Sequence, residues 1–443
     1  MYSRVLAAPA VVPDVVAVDS EQQPRTVLII APHGSYRTFP FIQAAQKQSI
    51  HTLIASEGRH SVVSAYAQGI HIDFSDPAKA FSDLMTAVAA KNIIAVVATD
   101  DSTTELAASV ARCLQLPHND PAAVRLTQRK DKARDALQVH HVPKPDHRRL
   151  DLSQDCSKQL EGLTFPVVVK PISLSASRGV IRANNQGELS QAISRITHLL
   201  NSLDDLNEQE RRYLLIEQFI PGYEVAVEAM LSDGRLDILA IFDKPDAMNG
   251  PFFEETYYVT PSRLHRDIQI SIRQVIEQAC QAYGLTEGPV HAECRVNEQG
   301  VFILEVAART IGGLCGRLLR FGTGLSLEEL VLLHAMGKPL KSAAEQGAAG
   351  VLMIPIPKAG LLKRVEGLLD AQRVEGIEEV NIQIREGHEL VPLPEGASYL
   401  GFIFARGDTP QQVEAALRNA HSKLHFVIAP VWKLQHGNQV CLA

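Results

Sequence analysis

Val290-His291-Ala292-Glu293-Cys294-Arg295-Val296-Asn297-Glu298-Gln299-Gly300-Val301-Phe302-Ile303-Leu304-Glu305-Val306-Ala307-Ala308-Arg309 alternates apolar and polar side chains on both sides of a short polar turn, the pattern of an antiparallel hairpin. If Asn297 pairs with Val301 across a three-residue loop, Gly300 takes the left-handed position such loops need, and Glu293 stands directly opposite Glu305. One face then carries Val290, Ala292, Cys294, Val296, Phe302, Leu304 and Val306, and predicts core. The other carries His291, Glu293, Arg295, Ile303, Glu305 and Arg309, and predicts a polar surface. Two opposed carboxylates destabilise a sheet unless a cation lies between them. Magnesium is one solution, because this hard ion takes oxygen donors and is usually held by one or two carboxylates with phosphates completing its shell. Pairing of each glutamate with an arginine on an exposed sheet is the other, and the hairpin alone leaves both readings open.

Upstream, the apolar run Pro166-Val167-Val168-Val169 ends in Lys170-Pro171 and enters the small-residue loop Ser173-Leu174-Ser175-Ala176-Ser177-Arg178-Gly179. A cation at a strand end followed by a loop rich in backbone N–H groups, hydroxyls and a guanidinium suits anionic oxygens, though a strand-end lysine by itself commonly just reaches for water. Leu214-Leu215-Ile216-Glu217-Gln218-Phe219-Ile220-Pro221-Gly222-Tyr223-Glu224 reads as strand, turn and strand. An extended connector of this kind can bond the edge of adenine through its backbone, with Glu224 at the ribose hydroxyls; exposed turn acids are the plainer alternative.

The chain around these segments has 443 residues, enough for two to four packed domains with a cleft between them. Hydrophobic residues make up 46% and charged residues 21%, so neither a disordered nor a membrane-spanning chain is expected. The net charge of -7 comes without a basic stripe, which argues against a nucleic-acid partner and for small molecules. Six cysteines without CxxC spacing argue against a zinc site or a disulfide framework and for a reducing, cytoplasmic compartment. The apolar stretch Val5 to Val18 is broken by Pro9, Pro13 and Asp14 and makes a poor signal peptide, so residues 1–24 are expected to be a mobile tail. Alternating strands and helices over residues 25–118 predict a parallel-sheet α/β domain. A charged helical linker is expected over 119–164, an α+β lid over 165–230, a catalytic subdomain carrying the hairpin over 231–345, and a separate mixed lobe over 346–443.

The order Asp131-Lys132, Lys170-Pro171, Glu217 to Glu224, then Glu293 and Glu305 resembles the ATP-grasp superfamily. Within it the chain is most similar to bacterial L-amino-acid ligases of the bacilysin-synthetase type, through Ala98-Thr99-Asp100-Asp101-Ser102-Thr103-Thr104-Glu105, Val169-Lys170-Pro171, Ser177-Arg178-Gly179-Val180, Leu304-Glu305-Val306-Ala307-Ala308-Arg309 and the stretch Leu393 to Phe404. The resemblance implies an α/β and α+β multidomain chain: an ATP-grasp fold with an N-terminal Rossmann-like domain and a C-terminal mixed α+β lobe. It implies Lys132 and Lys170 on the phosphates of ATP, Ser177, Arg178 and Gly179 in the phosphate loop, the stretch Glu217, Gln218, Phe219 and Ile220 at adenine, and Glu224 at ribose. Glu293 and Glu305 would ligate two magnesium ions, with manganese as a substitute, and Arg309 would lie on an acyl phosphate. Many ATP-grasp enzymes have Asn two residues after the second metal glutamate; Ala307 stands here, as in the L-amino-acid ligases.

The implied activity joins a carboxylate to an amine through an acyl phosphate, releasing ADP and phosphate. Lys170 and Arg309 would be the catalytic cations, and backbone N–H groups near Gly312-Gly313 would hold the oxyanion. The amine must be neutral to attack, so a base is needed; Glu255 and His265 are candidates, and His291 shares the substrate side. A ligase acting on a non-amino-acid carboxylate of purine or natural-product metabolism is a second reading, and a non-catalytic ATP sensor a third. Homodimers are the ordinary assembly for such enzymes.

Overall fold

Thr26–Ala31 (β1) is buried beyond its first residue, as an apolar strand flanked by parallel neighbours on both edges should be. It pairs in parallel with β2 (His51–Ser56) and, across its other edge, with β4 (Ile93–Ala98), while β3 (Gln68–His71) continues beyond β2. This four-stranded parallel sheet is the α/β domain expected at the N-terminus. The structure is a computed structural model, in which residues 24–33, 35–57, 68–320, 324–339 and 347–431 are described. The tail read over 1–24 lies outside them except for Pro24.

A second sheet, all antiparallel, has the order β5-β8-β6-β7 from β5 (His147–Asp151), β6 (Val167–Pro171), β7 (Ile181–Ala183) and β8 (Tyr213–Gln218). It closes its own small core with the helix Gln186–Asn201, through Leu189, Ala192, Ile196 and Leu200. The lid therefore starts earlier than the expected residue 165, because β5 comes from the stretch read as linker, and it ends with β8.

The following strands are β9 (Tyr223–Ser232), β10 (Arg235–Lys244), β11 (Tyr257–Thr260), β12 (Gly288–Asn297), β13 (Gly300–Ala307) and β14 (Ala348–Ile354). Then come β15 (Gly360–Glu366), β16 (Ile377–Ile382), β17 (Glu389–Leu390), β18 (Gly401–Gly407) and β19 (His425–Ala429). Eight of these make one sheet, β13-β12-β9-β10-β11-β14-β18-β16, while β17-β15-β19 form a small fourth sheet. The C-terminal part keeps a core of its own around Leu352, Ile403, Val413 and Leu417, and its β14, β18 and β16 also extend the central sheet through the β11–β14 pairing. The unbroken buried runs of β14 and β18 do not by themselves reveal which sheet they join.

One face of the central sheet is covered by the helix Arg266–Tyr283, whose Ile272, Ile276, Ala279 and Cys280 pack with Val225, Val227, Val290 and Ala292. The other face shares a core with the N-terminal domain, where Val27, Ile29 and Phe41 meet Ala226, Phe242, Met353 and Phe402. Lid, N-terminal domain and central sheet consequently converge on the edge where the β12–β13 hairpin lies. No described helix is long and apolar enough to cross a membrane.

Candidate active site

The β12–β13 hairpin closes at Asn297↔Gly300, with Glu298-Gln299 as the loop, one residue tighter than the sequence suggested. A bulge between Glu293 and Cys294 makes up the difference, and Glu293 does pair with Glu305. The bulge also re-aims side chains. It leaves Leu304 unpaired between Ile303 and Glu305, so Ile303 turns into the core while Leu304 joins Glu305 on the cleft side. The strict alternation drawn from sequence placed Ile303 and Leu304 the other way round. Leu304 still acts through its backbone, its carbonyl accepting from Arg134 Nη2 at 2.5 Å.

The hairpin forms one wall of a cleft of about 900 Å³ lined by all three lobes. Its acids are held by lysines. Lys244, at the end of β10 and 3% exposed, lies 2.9 Å from Glu224, 2.8 Å from Glu255 and 3.2 Å from Glu293. Lys130 is 3.2 Å from Glu305. Burial alone would raise the Glu293 carboxyl, but the Lys244 cation and the nearby His291 ring hold it down at about 2. Burial likewise opposes ionisation of Glu305, and the Lys130 cation overrides it. Both opposed glutamates are therefore anionic at neutral pH. In the next layer Glu217 binds Arg134 at 2.5 Å and Lys170 Nζ at 2.6 Å. These two cations outweigh its burial and keep it at about 2.

Lys132 is not among the residues at the cleft. It is exposed, and Lys130 lines the cleft in its place. Both lie on the helix Lys130–Val139, where Lys130 and the buried Arg134 are one turn apart on the inward face and Lys132 points to the opposite side. His265 is also away from the cleft: 73% exposed, it caps the helix Arg266–Tyr283 and faces Asp267 at 3.3 Å. Arg178 and Gly179 belong to the loop but turn away from the cleft. Their N–H donors reach the carbonyls of Glu395 and Pro394, each at 2.8 Å. Ser177 does line the cleft, at a φ of 53°. Gly179 has a φ of 72°, and a Cβ there would sit 2.8 Å from Pro171 Cγ, so no side chain fits.

Gln218, Phe219 and Ile220 line the same cleft. The amides of Gln218 and Phe219 donate to Asp146 and Pro166, and the Ile220 carbonyl accepts from Arg295. Phe219 is enclosed by the guanidinium groups of Arg182 and Arg295, at 4.1 Å and 4.9 Å from its ring centroid. Glu224 is buried and holds Arg295 at 2.8 Å in addition to Lys244.

Beyond Glu305, Arg309 is fixed by Asp101 of the N-terminal domain, with Nε and Nη2 2.9 and 2.8 Å from the same carboxylate oxygen. The Gly313 N–H donates to the Tyr36 hydroxyl at 2.8 Å, and Gly312 lies under Arg37, where a Cβ would come within 3.2 Å of Nη2. His291 Nδ1 is 2.7 Å from Glu228 Oε1, and its Nε2 is 3.7 Å from Glu293. Burial lowers an imidazole's basicity, but these carboxylates raise His291 to about 9, so it is cationic at neutral pH. Glu255 moves the opposite way: burial and the nearby Glu293 push its carboxyl up in spite of Lys244.

Residues 163–317 match the model of the ATP-grasp domain, and residues 352–429 match L-amino acid ligase C-terminal domain 2. The chain thus carries an ATP-grasp domain followed by an L-amino acid ligase C-terminal domain. The crystal structure of an L-amino acid ligase from Bacillus licheniformis superimposes with a TM-score of 0.80 at 24% identity, covering 92% of this chain and 100% of that one. The alanine–anticapsin ligase of Bacillus subtilis (strain 168) is 25% identical over 219 residues, 46% of this chain and 45% of that protein. Carnosine synthase 1 of Gallus gallus is 25% identical over 287 residues, 60% of this chain and 31% of that protein. The matched stretch spans under half the length of these two curated relatives.

The ATP-grasp match takes in Lys170, the Glu217 to Glu224 connector, both hairpin glutamates and Arg309. Three residues of this ATP-grasp cleft went unsingled in the sequence: Lys130, Lys244 and Asp101. Lys244 had a signal, because Lys244-Pro245 at the end of β10 repeats the strand-end pattern of Lys170-Pro171. Lys130 had one too, in the helical spacing that sets it with Arg134. The pairing of Asp101 with Arg309 joins residues 208 apart and had none.

Proposed function

We propose that the chain is an ADP-forming ligase that joins a small carboxylate to a small amine, amino acids in the first instance, through an acyl phosphate. The observation that carries this reading is the pair of opposed, ionised glutamates with a lysine on each and Arg309 next to them, all in one cleft. The donor chemistry suits magnesium: the opposed carboxylates of Glu293 and Glu305 offer two hard oxygen donors, and since no group of three metal-binding side chains is found among the described residues, phosphate oxygens would complete the shell. Magnesium bound by Glu293 and Glu305 would neutralise the charge developing on the transferring phosphoryl group.

The protein's own groups do the rest. Lys130 and Lys170 draw the phosphates of ATP toward the hairpin, and Ser173–Gly179 covers them. The stretch Gln218 to Ile220 receives adenine, with Glu224 at the ribose. Arg309, held rigid by Asp101, steadies the acyl phosphate and then the tetrahedral oxyanion. Glu255 takes the proton from the attacking amine, since a carboxyl pushed upward by burial is the better base. His291 is cationic and supplies charge rather than accepting a proton. A lid that excludes water protects the acyl phosphate from hydrolysis. Dependence on ATP makes the cytoplasm the compartment in which such a ligase would work.

The test is magnesium-dependent phosphate release by purified protein across pairs of amino acids, with the amide identified by mass spectrometry. Release should need both substrates, vanish in Glu305→Ala, and fall by about 10²-fold in Lys130→Ala while Lys132→Ala keeps near wild-type rates. If MgATP binds but no pair stimulates release, the amino-acid reading fails and another carboxylate becomes the substrate to seek.

A further inference from the structure

The loop Ser173–Gly179 faces two ways. Ser173, Ser175 and Ser177 line the cleft, whereas Arg178 and Gly179 hydrogen-bond the backbone of Pro394 and Glu395 on the C-terminal side. From the helix behind the loop, Arg195 adds a two-pronged ion pair to the same Glu395, Nε to Oε1 at 2.5 Å and Nη2 to Oε2 at 2.8 Å. One residue of the C-terminal part therefore meets the lid at both the phosphate loop and the helix packed on it.

Two observations say that this contact holds the loop in a shape it would not keep alone. Ala176 and Ser177 have φ values of 54° and 53°, a left-handed conformation unfavourable for residues with a Cβ, and such strain persists only where surroundings impose it. Among the described strands, the lid sheet joins the eight-stranded sheet through no ladder; besides the Glu395 contact, β7 meets the following segment at the isolated bridge Ile181↔Phe252. The ion pair is also half-open to solvent, Arg195 at 46% and Glu395 at 37%, so it is weak enough to make and break. Two residues beyond Glu395, Ala397, Ser398 and Tyr399 line the cleft, and the Tyr399 ring stacks edge-on with Phe402 at 6.1 Å, beside Gly313.

We propose that Glu395 is a positioning residue: it clasps the phosphate loop over the nucleotide through Arg195 and its own carbonyl, and couples that closure to the substrate side of the cleft through the segment it begins. This deepens the proposed function, resting on the reading of Ser173–Gly179 as the loop over the ATP phosphates. A lid clasped by the segment that walls the substrate pocket closes best when that pocket is filled.

Trypsin cleavage after Arg178, followed by mass spectrometry with and without MgADP, tests this independently of turnover. In the wild-type protein MgADP should protect the Arg178–Gly179 bond. In Glu395→Ala that protection should drop and the MgADP dissociation constant should rise about fivefold, ~1 kcal/mol, with the unfolding midpoint of the free protein unchanged. The exchanged pair Arg195→Glu with Glu395→Arg should restore protection, and Arg195→Ala repeats the test from the lid side if the first variant folds poorly. Wild-type protection and affinity in both single variants overturn the clasp. MgADP that binds without protecting Arg178 overturns it while leaving the ligase reading intact; no MgADP binding overturns both.

Discussion

Glu217 shows how two buried cations set the titration of a single carboxylate. It is fully enclosed, yet the Arg134 and Lys170 cations hold its pKa at about 2 against an ordinary value of 4.5. A depressed carboxyl contributes stability above its unfolded pKa and loses it as pH falls through the folded one. Denaturant midpoints should therefore decline from about pH 4.5 toward pH 2, and Glu217→Gln should flatten that decline. At neutral pH the same variant leaves two buried cations without their anion and should cost about 3–5 kcal/mol, measured by urea unfolding. Residue types were legible where chemistry follows the linear chain: Lys170, Glu293 and Glu305 stand out by their neighbours. That Lys130 and not Lys132 faces the cleft was not legible, because a dipeptide motif carries no helix phase, and only the phase tells which lysine faces inward.

At the scale of elements, the hairpin could be read as a hairpin but not as a bulged one. Alternation assigns faces correctly only until a residue is inserted, and β13 carries that insertion at Leu304, between the turn and Glu305. The two registers predict opposite outcomes for neighbouring truncations. With Ile303 fully buried in the core, Ile303→Ala should cost about 2–5 kcal/mol of stability and leave MgADP affinity intact, whereas Leu304→Ala, at the cleft wall, should chiefly weaken the nucleotide. Unfolding curves paired with calorimetric titration of MgADP separate the two. A regular ladder would reverse them.

Across the whole molecule, the parallel N-terminal sheet was legible because βα alternation has few solutions, and the order of the ATP-grasp segments was legible because it is linear. The union of the C-terminal strands with the central sheet was not, since strand pairing over a long sequence separation leaves no local mark. That union has a testable outcome. A chain ending at residue 346 would strip β14, β18 and β16 from the sheet, uncover the edge of β11 and remove Val351, Met353, Phe402 and Phe404 from the shared core. Size-exclusion chromatography of that truncated chain should find aggregate rather than a monodisperse core.

The seam between β11 and β14 also bears on how such a ligase can change what it joins. A domain that merely docks could be traded between relatives as a cassette, carrying its selectivity with it. Here the graft would have to match a hydrogen-bonded register of four residue pairs, Tyr257↔Leu352 to Thr260↔Ala349, as well as the clasp on the lid. Diversification is thereby steered toward replacement of individual wall residues such as Met353, Tyr399 and Phe402, and away from wholesale recombination.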